Sequence, residues 1–537
     1  MNIVSFVDKD GSAIDRLARM NAQRFPHLNV NVLDFHPKRP DAIQMEDARK
    51  AIEWADIIDF QYWKTAVAIR NLFPKECEGK KTILTHQNEH NIDGDWEWKK
   101  MKWDAIIAKN GWQADHLSKQ GYKPIFIRHA VEFNNLRFTD YLPEEKVVLY
   151  VGQIKKVKGV REIAQACEEL SYRFHIIGNP SEQGYFQELM AKYSKVITLG
   201  NNIPDDQMLA IYANARVYCA NSDDGTESGT MPILEAMASG IPVVTRNIGH
   251  VRDMGEHMKN MYIRKGVYTD IEDLKTALKL VMENDDIANE LRENAWRTVR
   301  QYHPDIQARE YEKVFRQVMF PGRPIVSVII PTCNRWGVLM DNIGALEDQT
   351  YKNFEVVVCD DSVAKEQANI IETEQRQKRF SFPVRYLWTG KENEKEYGLA
   401  KARNLSVVES IGEILIFCDD RLRMHPSAIE GFVKMLQSFD KTKKVWLWGS
   451  KGQFKSFVEN FSATWRRSLI DGGMFNERID EYGGMTQEIS GRFGSQGFRF
   501  EWCPQSLAEP TVGTHSKSHH REEIIRSKIK LYKMGFQ

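Results

Sequence analysis

Two glutamates eight positions apart, Glu227 and Glu235, bracket a glycine turn in Asn221-Ser-Asp-Asp-Gly-Thr-Glu227-Ser-Gly229-Thr-Met-Pro232-Ile-Leu-Glu235. The spacing puts Glu227 in a loop after a strand and Glu235 in the helix that follows. One carboxylate could accept hydrogen bonds from the hydroxyls of a sugar, and the other could clamp the two hydroxyls of a ribose. The bland alternative is a helix start capped by Glu227 with Glu235 as an exposed helical residue. Upstream, Gly152-Gln153-Ile-Lys-Lys-Val-Lys158-Gly159 runs into the helical pattern 160–170. A glycine turn feeding a helix turns backbone N–H groups and the helix dipole toward a phosphate, and Lys158 adds a point charge. A solvated basic turn is the other reading of the same residues. In the last third, Asp360-Asp361 and Asp419-Asp420 are paired carboxylates at the ends of apolar runs. His515, in Thr514-His-Ser-Lys-Ser-His519-His520, could complete a metal site with Asp419 and Asp420, or belong to a histidine-rich surface segment.

These residues need strand ends to hold them, and the chain supplies three series of apolar runs alternating with helical spacing. The first has strand candidates at 2–7, 29–34, 56–60, 81–85, 104–108 and 124–128. The second has them at 146–151, 172–177, 195–199, 216–219 and 241–244, then a helical tail to about Met319. The third has them at 325–330, 354–359, 384–388 and 413–418. Such alternation implies βαβ units and open parallel sheets, whose ligands bind beyond the carboxyl ends of the strands. Phe320-Pro-Gly-Arg-Pro324 reads as a linker,. The expected organisation is α/β throughout, with two Rossmann-like lobes, 1–143 and 144–320, followed by a further α/β domain, 325–537.

At 537 residues the chain exceeds one hydrophobic core,. Its 74 basic and 74 acidic side chains cancel, which argues against a general polyanion binder,. Seven scattered cysteines with no C-x-x-C pair point to a reducing, cytoplasmic setting, without a disulfide framework or structural zinc,. No secretory signal pattern opens the sequence, and no apolar run approaches the ~20 residues that span a bilayer. The segment 521–536 reads as a basic amphipathic helix that either lies on an anionic membrane surface or packs on its own domain.

Residues 146–319 resemble the donor-binding half of the large retaining glycosyltransferase group with the two-lobed GT-B fold. The likeness rests on the glycine-plus-KG loop, Gly178 after a strand, Ile203-Pro-Asp-Asp-Gln-Met-Leu-Ala-Ile-Tyr212, the glutamate pair and Leu234-Glu-Ala-Met-Ala-Ser-Gly-Ile-Pro-Val-Val. It implies that Gly152, Lys158 and Gly159 hold the donor diphosphate, Glu227 the donor sugar and Glu235 the ribose. One departure is Gln153, where the group usually has Arg; Lys155 or Lys156 would have to compensate. Residues 1–143 resemble the acceptor lobe more faintly. Gly11 in Asp10-Gly11-Ser12 matches a glycine-rich first loop, and His86 stands where the group often places a histidine facing the donor sugar. Trp96, Trp98, Trp103 and Trp112 read as an acceptor platform or as buried core.

Residues 325–537 resemble the inverting, metal-dependent glycosyltransferases with the GT-A fold. The residues that carry this are Val326-Ser-Val-Ile-Ile-Pro331-Thr332-Cys333-Asn334-Arg335, Phe354-Glu-Val-Val-Val-Cys-Asp360-Asp361-Ser362 and Gly398-Leu-Ala-Lys-Ala-Arg403-Asn404. By likeness Asp360 or Asp361 contacts the nucleoside, Arg403 approaches the donor, and Asp419 and Asp420 hold Mn²⁺ or Mg²⁺. Two chemical positions depart from the pattern. Arg421 falls on the second Asp of the Asp-x-Asp motif, and a guanidinium cannot ligate a hard cation. Met485-Thr486 replaces the Glu-Asp pair that carries the general base, which leaves Glu488 or Glu481 as substitutes. The expected function is transfer of a sugar from a nucleotide donor, most often a uridine diphosphate sugar in both families, to a glycan or lipid-linked acceptor. Alternatives are one working N-terminal transferase with the C-terminal domain as an acceptor-binding module, or a transferase that modifies DNA bases or protein. The oligomeric state is not legible.

Overall fold

The computed structural model describes residues 1–537 apart from 88, 134–137, 140, 202, 225–230, 364–379, 395, 441, 452–455, 481–482 and 512–537. The chain forms two compact units, Met1–Val314 and Phe315–Gln537.

The first unit contains two sheets. In its first lobe β1 (Asn2–Val7), β2 (Asn29–Asp34), β3 (Ile57–Phe60), β4 (Lys81–His86), β5 (Ala105–Ala108) and β6 (Ile125–Phe126) are ordered β2-β1-β3-β4-β5-β6, all parallel. A parallel sheet covered on both faces requires apolar strands, and every residue of β3 and β5 is buried,. The crossover helices start where short polar side chains cap them. Ser12 accepts from the Asp15 N–H ahead of Ala13–Ala22, and Asp41 with Gln44 forms a capping box ahead of Ala42–Trp54,. All four tryptophans near residue 100 pack on this core; Trp98 is fully buried, and its indole donates to the Asn91 carbonyl at 3.1 Å. They are core residues.

The second lobe has β7 (Val147–Val151), β8 (Arg173–Ile177), β9 (Val196–Gly200), β10 (Val217–Cys219), β11 (Val243–Arg246) and β12 (Tyr262–Arg264) in the order β12-β11-β10-β7-β8-β9. Again all pairings are parallel. The chain winds outward from β7 to β9, then crosses back to β10. This doubly wound order opens a crevice beyond the carboxyl ends of β7 and β10. Three helices, Ile271–Glu283, Asp285–Val299 and Pro304–Met319, close the series. The last returns to the first lobe, where Asn21 donates to Gln307 at 3.0 Å and Arg24 pairs with Asp305 at 2.8 Å.

The second unit is built on one eight-stranded mixed sheet, β15-β14-β13-β16-β19-β18-β20-β17. Its strands are β13 (Val326–Thr332), β14 (Phe354–Asp360), β15 (Val384–Trp388), β16 (Ile414–Cys418), β17 (Leu422–Met424), β18 (Val445–Lys451), β19 (Phe461–Trp465) and β20 (Arg499–Pro510). The pairings among β13 to β16 are parallel, and β19 runs antiparallel to both β16 and β18. The sequence reading missed β12 and β17 to β20. β12 and β17 have only three residues each, and β20 alternates polar and apolar residues around two prolines.

Candidate functional site

At the switch point of the second lobe, two glycine turns pack on each other. Gly152 follows β7 with φ +154°, and Gly178 follows β8 with φ +150°. A Cβ on Gly178 would lie 1.7 Å from the Gly152 carbonyl oxygen, so only glycine fits,. The loop continues through a short 3₁₀ turn, Lys156–Lys158, to Gly159, which takes the left-handed conformation (φ +60°) and caps the helix Val160–Leu170 without a side chain. A Cβ there would meet the Asn221 carbonyl at 2.4 Å, so the loop lies directly against the end of β10. The Asp223 N–H donates to the Val157 carbonyl at 2.8 Å, tying the two loops together. Lys158 is buried, and burial, with Lys155 adding to it, lowers its ammonium to about 7. A lysine desolvated in this way is set to regain charge when an anion arrives beside it.

Two buried arginines that the sequence reading passed over hold the loop leading to Glu227. Arg246, at the end of β11, donates to the Ser222 carbonyl at 2.9 Å and to Asp224 at 3.1 Å. Arg264, at the end of β12, donates to the Asn221 side-chain oxygen and pairs with Asp273 at 3.0 Å. Their signal is visible in retrospect as a lone Arg closing each of two short apolar strands. Glu235 sits mid-way along the helix Met231–Ala238, half-buried, and Tyr212 donates to its Oε2 at 2.6 Å. Burial raises the Tyr212 phenol well above its ordinary range; Glu235 adds to this, while Arg16 of the first lobe acts in the opposite direction. Glu227 lies outside the described residues.

On the first lobe, Gly11 has φ +69° and its N–H donates to Asp15 at 3.0 Å. His86 ends β4 fully buried, edge-on to Trp98 with ring centroids 4.4 Å apart. Neither ring nitrogen has a hydrogen-bond partner, and burial followed by Lys99 lowers it to about 3. His86 is therefore a neutral imidazole that does not take up a proton near neutrality. The two lobes are latched by a buried Glu89, which pairs with Arg252 at 2.9 Å and accepts from Asn110 at 2.9 Å. The Gly111 N–H also donates to Asp253 at 3.0 Å. Beside this latch lies a buried polar set. Burial raises Asp59 to about 6 and lowers Lys109 to about 7, and His129 and His250 face each other at 5.9 Å without hydrogen-bond partners. Nothing local marks this set in the sequence, because the four residues lie on four separate segments that only the fold brings together.

In the second unit the predicted residues gather at the ends of β13, β14 and β16. Asp360 accepts from the Ser362 hydroxyl at 2.5 Å and from Tyr386 at 2.8 Å. Asp361 accepts from Thr389 at 2.8 Å and from the Gly398 N–H, at the start of the helix Leu399–Glu409, at 2.9 Å. Arg403 on that helix is buried, donates to Glu459 at 3.2 Å and lies over the Phe475 ring at 5.1 Å. Asp419 is gripped by Arg421, whose Nε and Nη2 each lie 3.1 Å from a different carboxylate oxygen. Burial raises Asp420 to about 6 against the pull of Arg335, and its Oδ2 accepts from Thr332 at 2.8 Å and from Arg335 at 2.9 Å.

The residues present do not fit a divalent ion. Both aspartates are committed to arginines, and among the described residues no three His, Cys, Asp or Glu side chains gather as a metal site. The predicted ligand His515 lies outside the described residues, as do Glu481 and the segment 521–536. Glu488 is fully buried and bound by Arg492 at 2.6 Å, which ties it into the helix Met485–Ser495. A carboxylate instead reaches the Met485-Thr486 position from another segment: Thr486 donates its hydroxyl to Glu459, just before β19.

The matching families follow this division. A family model described as glycosyl transferases group 1 matches residues 134–298, and one described as glycosyl transferase family 2 matches 327–471. Together they span more than half of the chain. An uncharacterized glycosyltransferase of Rickettsia bellii is 36% identical over 191 residues, 35% of this chain and 22% of that protein. A GDP-mannose-dependent alpha-mannosyltransferase of Corynebacterium glutamicum is 25% identical over 223 residues, 38% of this chain and 51% of that protein. The chain thus spans about a fifth to about half the length of these curated relatives. Among solved structures, Anabaena HepE in complex with UDP-glucose is 13% identical with a TM-score of 0.49, covering 58% of this chain and 99% of that one. No helix among the described residues is long and apolar enough to cross a membrane.

Proposed function

We propose that the chain, whose two halves match glycosyl transferases group 1 and glycosyl transferase family 2, works as a tandem glycosyltransferase in which the first unit moves a sugar from a nucleotide donor to a glycan or lipid-linked acceptor with retention at the anomeric carbon. The observation that carries this reading is the convergence of two interlocked glycine turns, a helix start and a buried lysine on one crevice, with Glu235 anchored by Tyr212. In transfer, the bond between the anomeric carbon and the diphosphate oxygen breaks, a bond from that carbon to an acceptor oxygen forms, and the acceptor hydroxyl's proton passes to the departing diphosphate oxygen. Negative charge grows on the departing diphosphate, where Lys158 and the amides of the Gly152–Gly159 loop stabilise it. Glu235 holds the ribose hydroxyls, and Glu227 takes the donor sugar. Arg246 and Arg264 hold Asn221, Ser222 and Asp224, and the Asp223 N–H ties this segment to Val157 of the KG loop. His86, fully buried against Trp98, supports β4 from within the core and does not face the donor sugar.

The second unit takes a donor at the ends of β13 and β14, and Glu459 replaces the missing base opposite the acceptor. The acceptor proton then passes to a carboxylate that Thr486 and Arg403 orient. The domains follow the division 1–143, 144–320 and 325–537.

The test is release of nucleoside diphosphate from a panel of uridine and guanosine diphosphate sugars; guanosine is included because one relative is GDP-mannose-dependent. Lys158→Ala should lower turnover at the first unit by roughly 10²–10³-fold, the scale of losing one donor to a developing anion. Glu227→Ala should abolish it while the melting temperature holds. Unchanged turnover in both variants would move the active site elsewhere.

A further inference from the structure

We propose that the second unit holds a sugar ring of its acceptor on an aromatic floor made by Trp448 and Trp502, beside the carboxylate of Glu459. This rests on the reading of Glu459 as the group that takes the acceptor proton.

The sheet brings these residues to one end. β19 is antiparallel to both β16 and β18, and β20 runs parallel to β18, so the carboxyl ends of β16 and β18 lie at the same end of the sheet. Cys418, the last residue of β16, stands opposite Phe461, and Trp448 on β18 stands opposite Ser462. Trp502 on β20 is the register partner of Trp448. The two indoles are therefore neighbours at the end where Asp419 and Glu459 lie. At about 4.8 Å per strand, they stand about 10 and about 14 Å across the sheet from β16,.

Packing beneath them sets the face. Two residues earlier on each strand, the buried Trp446 stacks on Phe500 with ring centroids 6.3 Å apart, and it also packs on Phe417 and Phe475. Phe475 is the ring under Arg403, the residue that donates to Glu459. Side chains two apart on a strand share a face, so Trp448 and Trp502 extend this aromatic row on the Glu459 side. Phe457, two residues before Glu459, meets Trp446, Trp448 and Phe500 with centroids at 5.8, 6.1 and 4.6 Å. It joins the floor to the carboxylate.

Trp502 is 44% exposed, and its indole N–H donates to Ser450 at 3.0 Å. With that N–H engaged the ring is held in place, and what it offers a ligand is carbon surface at little ordering cost. The β18–β20 register slips directly after the Trp448–Trp502 pair, an irregularity of the kind that re-aims side chains beside a site,. A ligand here meets apolar carbon below and polar groups along one side. These are the carboxylates of Glu459 and Asp419, and Asn460, whose amide reaches Asp419 at 3.5 Å and which accepts from Lys451. A pyranose matches that division, with C–H bonds on its face and hydroxyls around its rim. An acyl chain has no use for the polar side.

The experiment is binding of the full chain to an array of neutral, amino and acidic oligosaccharides, followed by transfer to the bound glycans in the Glu227→Ala background. Trp502→Ala should weaken binding of at least one glycan about tenfold or more, the scale of losing an aromatic anchor, and the exposed position keeps the melting temperature unchanged,. Trp502→Phe should recover part of that loss. In transfer to the same glycan, Trp502→Ala should raise KM, whereas Glu459→Gln should lower kcat. Glycan binding untouched by Trp502→Ala would overturn the inference, as would an array on which nothing binds. Capture of phospholipid vesicles that Trp502→Ala abolishes, with no glycan bound, would overturn it in favour of a membrane-facing patch. Failure of the Glu459 reading has a separate signature: Glu459→Gln leaves kcat unchanged while the Trp502-dependent binding persists.

Discussion

In the reading proposed for the first unit, a diphosphate is met by backbone amides, a helix end and one lysine whose ammonium is lowered to about 7 by burial. In the second unit the corresponding strand ends carry side-chain ion pairs, Arg421 on Asp419 and Arg335 on Asp420, assembled before any ligand arrives. The two store their charge differently. Glycine turns leave the anion to complete the electrostatics, whereas paired arginines hold a fixed charge and spend a carboxylate on keeping it in place. The difference teaches that loss of a motif residue is a poor guide to loss of a site. Arg421 and Met485-Thr486 read as two deletions in sequence, yet each is met by a neighbour: Arg421 itself supplies positive charge, and Glu459 comes up against Thr486.

The sharpest break of this comparison sets Glu459 against Glu488 in the second unit. Glu459→Gln should lower transfer per folded molecule at that unit by about 100-fold, the usual scale for a positioned base, and it also lowers the melting temperature because the buried Arg403 loses its carboxylate,. Glu488→Gln leaves Arg492 without its buried partner and should cost about 3 kcal/mol of stability,. Transfer should follow the folded fraction in that variant. Both are measured in the Glu227→Ala background, so that only the second unit contributes. A base role at Glu488 would reverse the pattern, with transfer per folded molecule lost in Glu488→Gln and kept in Glu459→Gln.

A smaller effect separates the units by pH. Lys158 titrates at about 7 in the free protein, down from the ordinary lysine value because it is buried. Above that pH the free protein carries a neutral amine, and diphosphate binding must first take up a proton. Affinity at the first unit should therefore fall as pH rises from 7, by up to about tenfold per unit. Titrations at pH 8 in buffers of different ionisation enthalpy should show the proton uptake. An affinity at the first unit that does not fall between pH 7 and pH 8 would show that Lys158 is not the group that receives the diphosphate.

Much of this architecture was legible in the sequence because parallel strands covered on both faces must be apolar throughout. Runs such as Val326-Ser-Val-Ile-Ile and Phe354-Glu-Val-Val-Val have no other stable use, and they fixed the strand ends where chemistry had to sit. The Gly178 and Gly159 positions were legible too, since each is a place where a Cβ would strike a neighbouring loop. What escaped was everything built by long-range pairing of single polar residues. Glu89 finds Arg252 across 163 positions, and Glu459 finds Thr486 across 27, with nothing local to mark either one. His86 shows the converse. Its position at the end of β4 suggested a donor-facing group, but whether its ring nitrogens would be solvated or sealed against Trp98 depends on a residue twelve places on, in a different element.

Gln153 offers the finest adjustment of the comparison. It follows Gly152 with an exposed side chain, at the position where the group usually has Arg, and its carbonyl accepts from Tyr150 at 2.9 Å. That backbone contact survives substitution, so Gln153→Arg changes the side chain alone. A guanidinium at the mouth of the glycine turn adds one charge-assisted contact to a diphosphate, and exposure limits its worth to ~0.7–1.4 kcal/mol, roughly three- to tenfold in affinity. The gain should shrink from low to physiological salt, because an exposed charge is screened within about 8–10 Å. It should also flatten the pH dependence of the first unit, since part of the charge no longer depends on Lys158. In effect the substitution moves the first unit toward the electrostatics of the second. If Gln153→Arg leaves both the low-salt affinity and the pH slope unchanged, the diphosphate does not lie at the mouth of the Gly152 turn, and the lysine-centred account of the first unit has to be redrawn around a different loop.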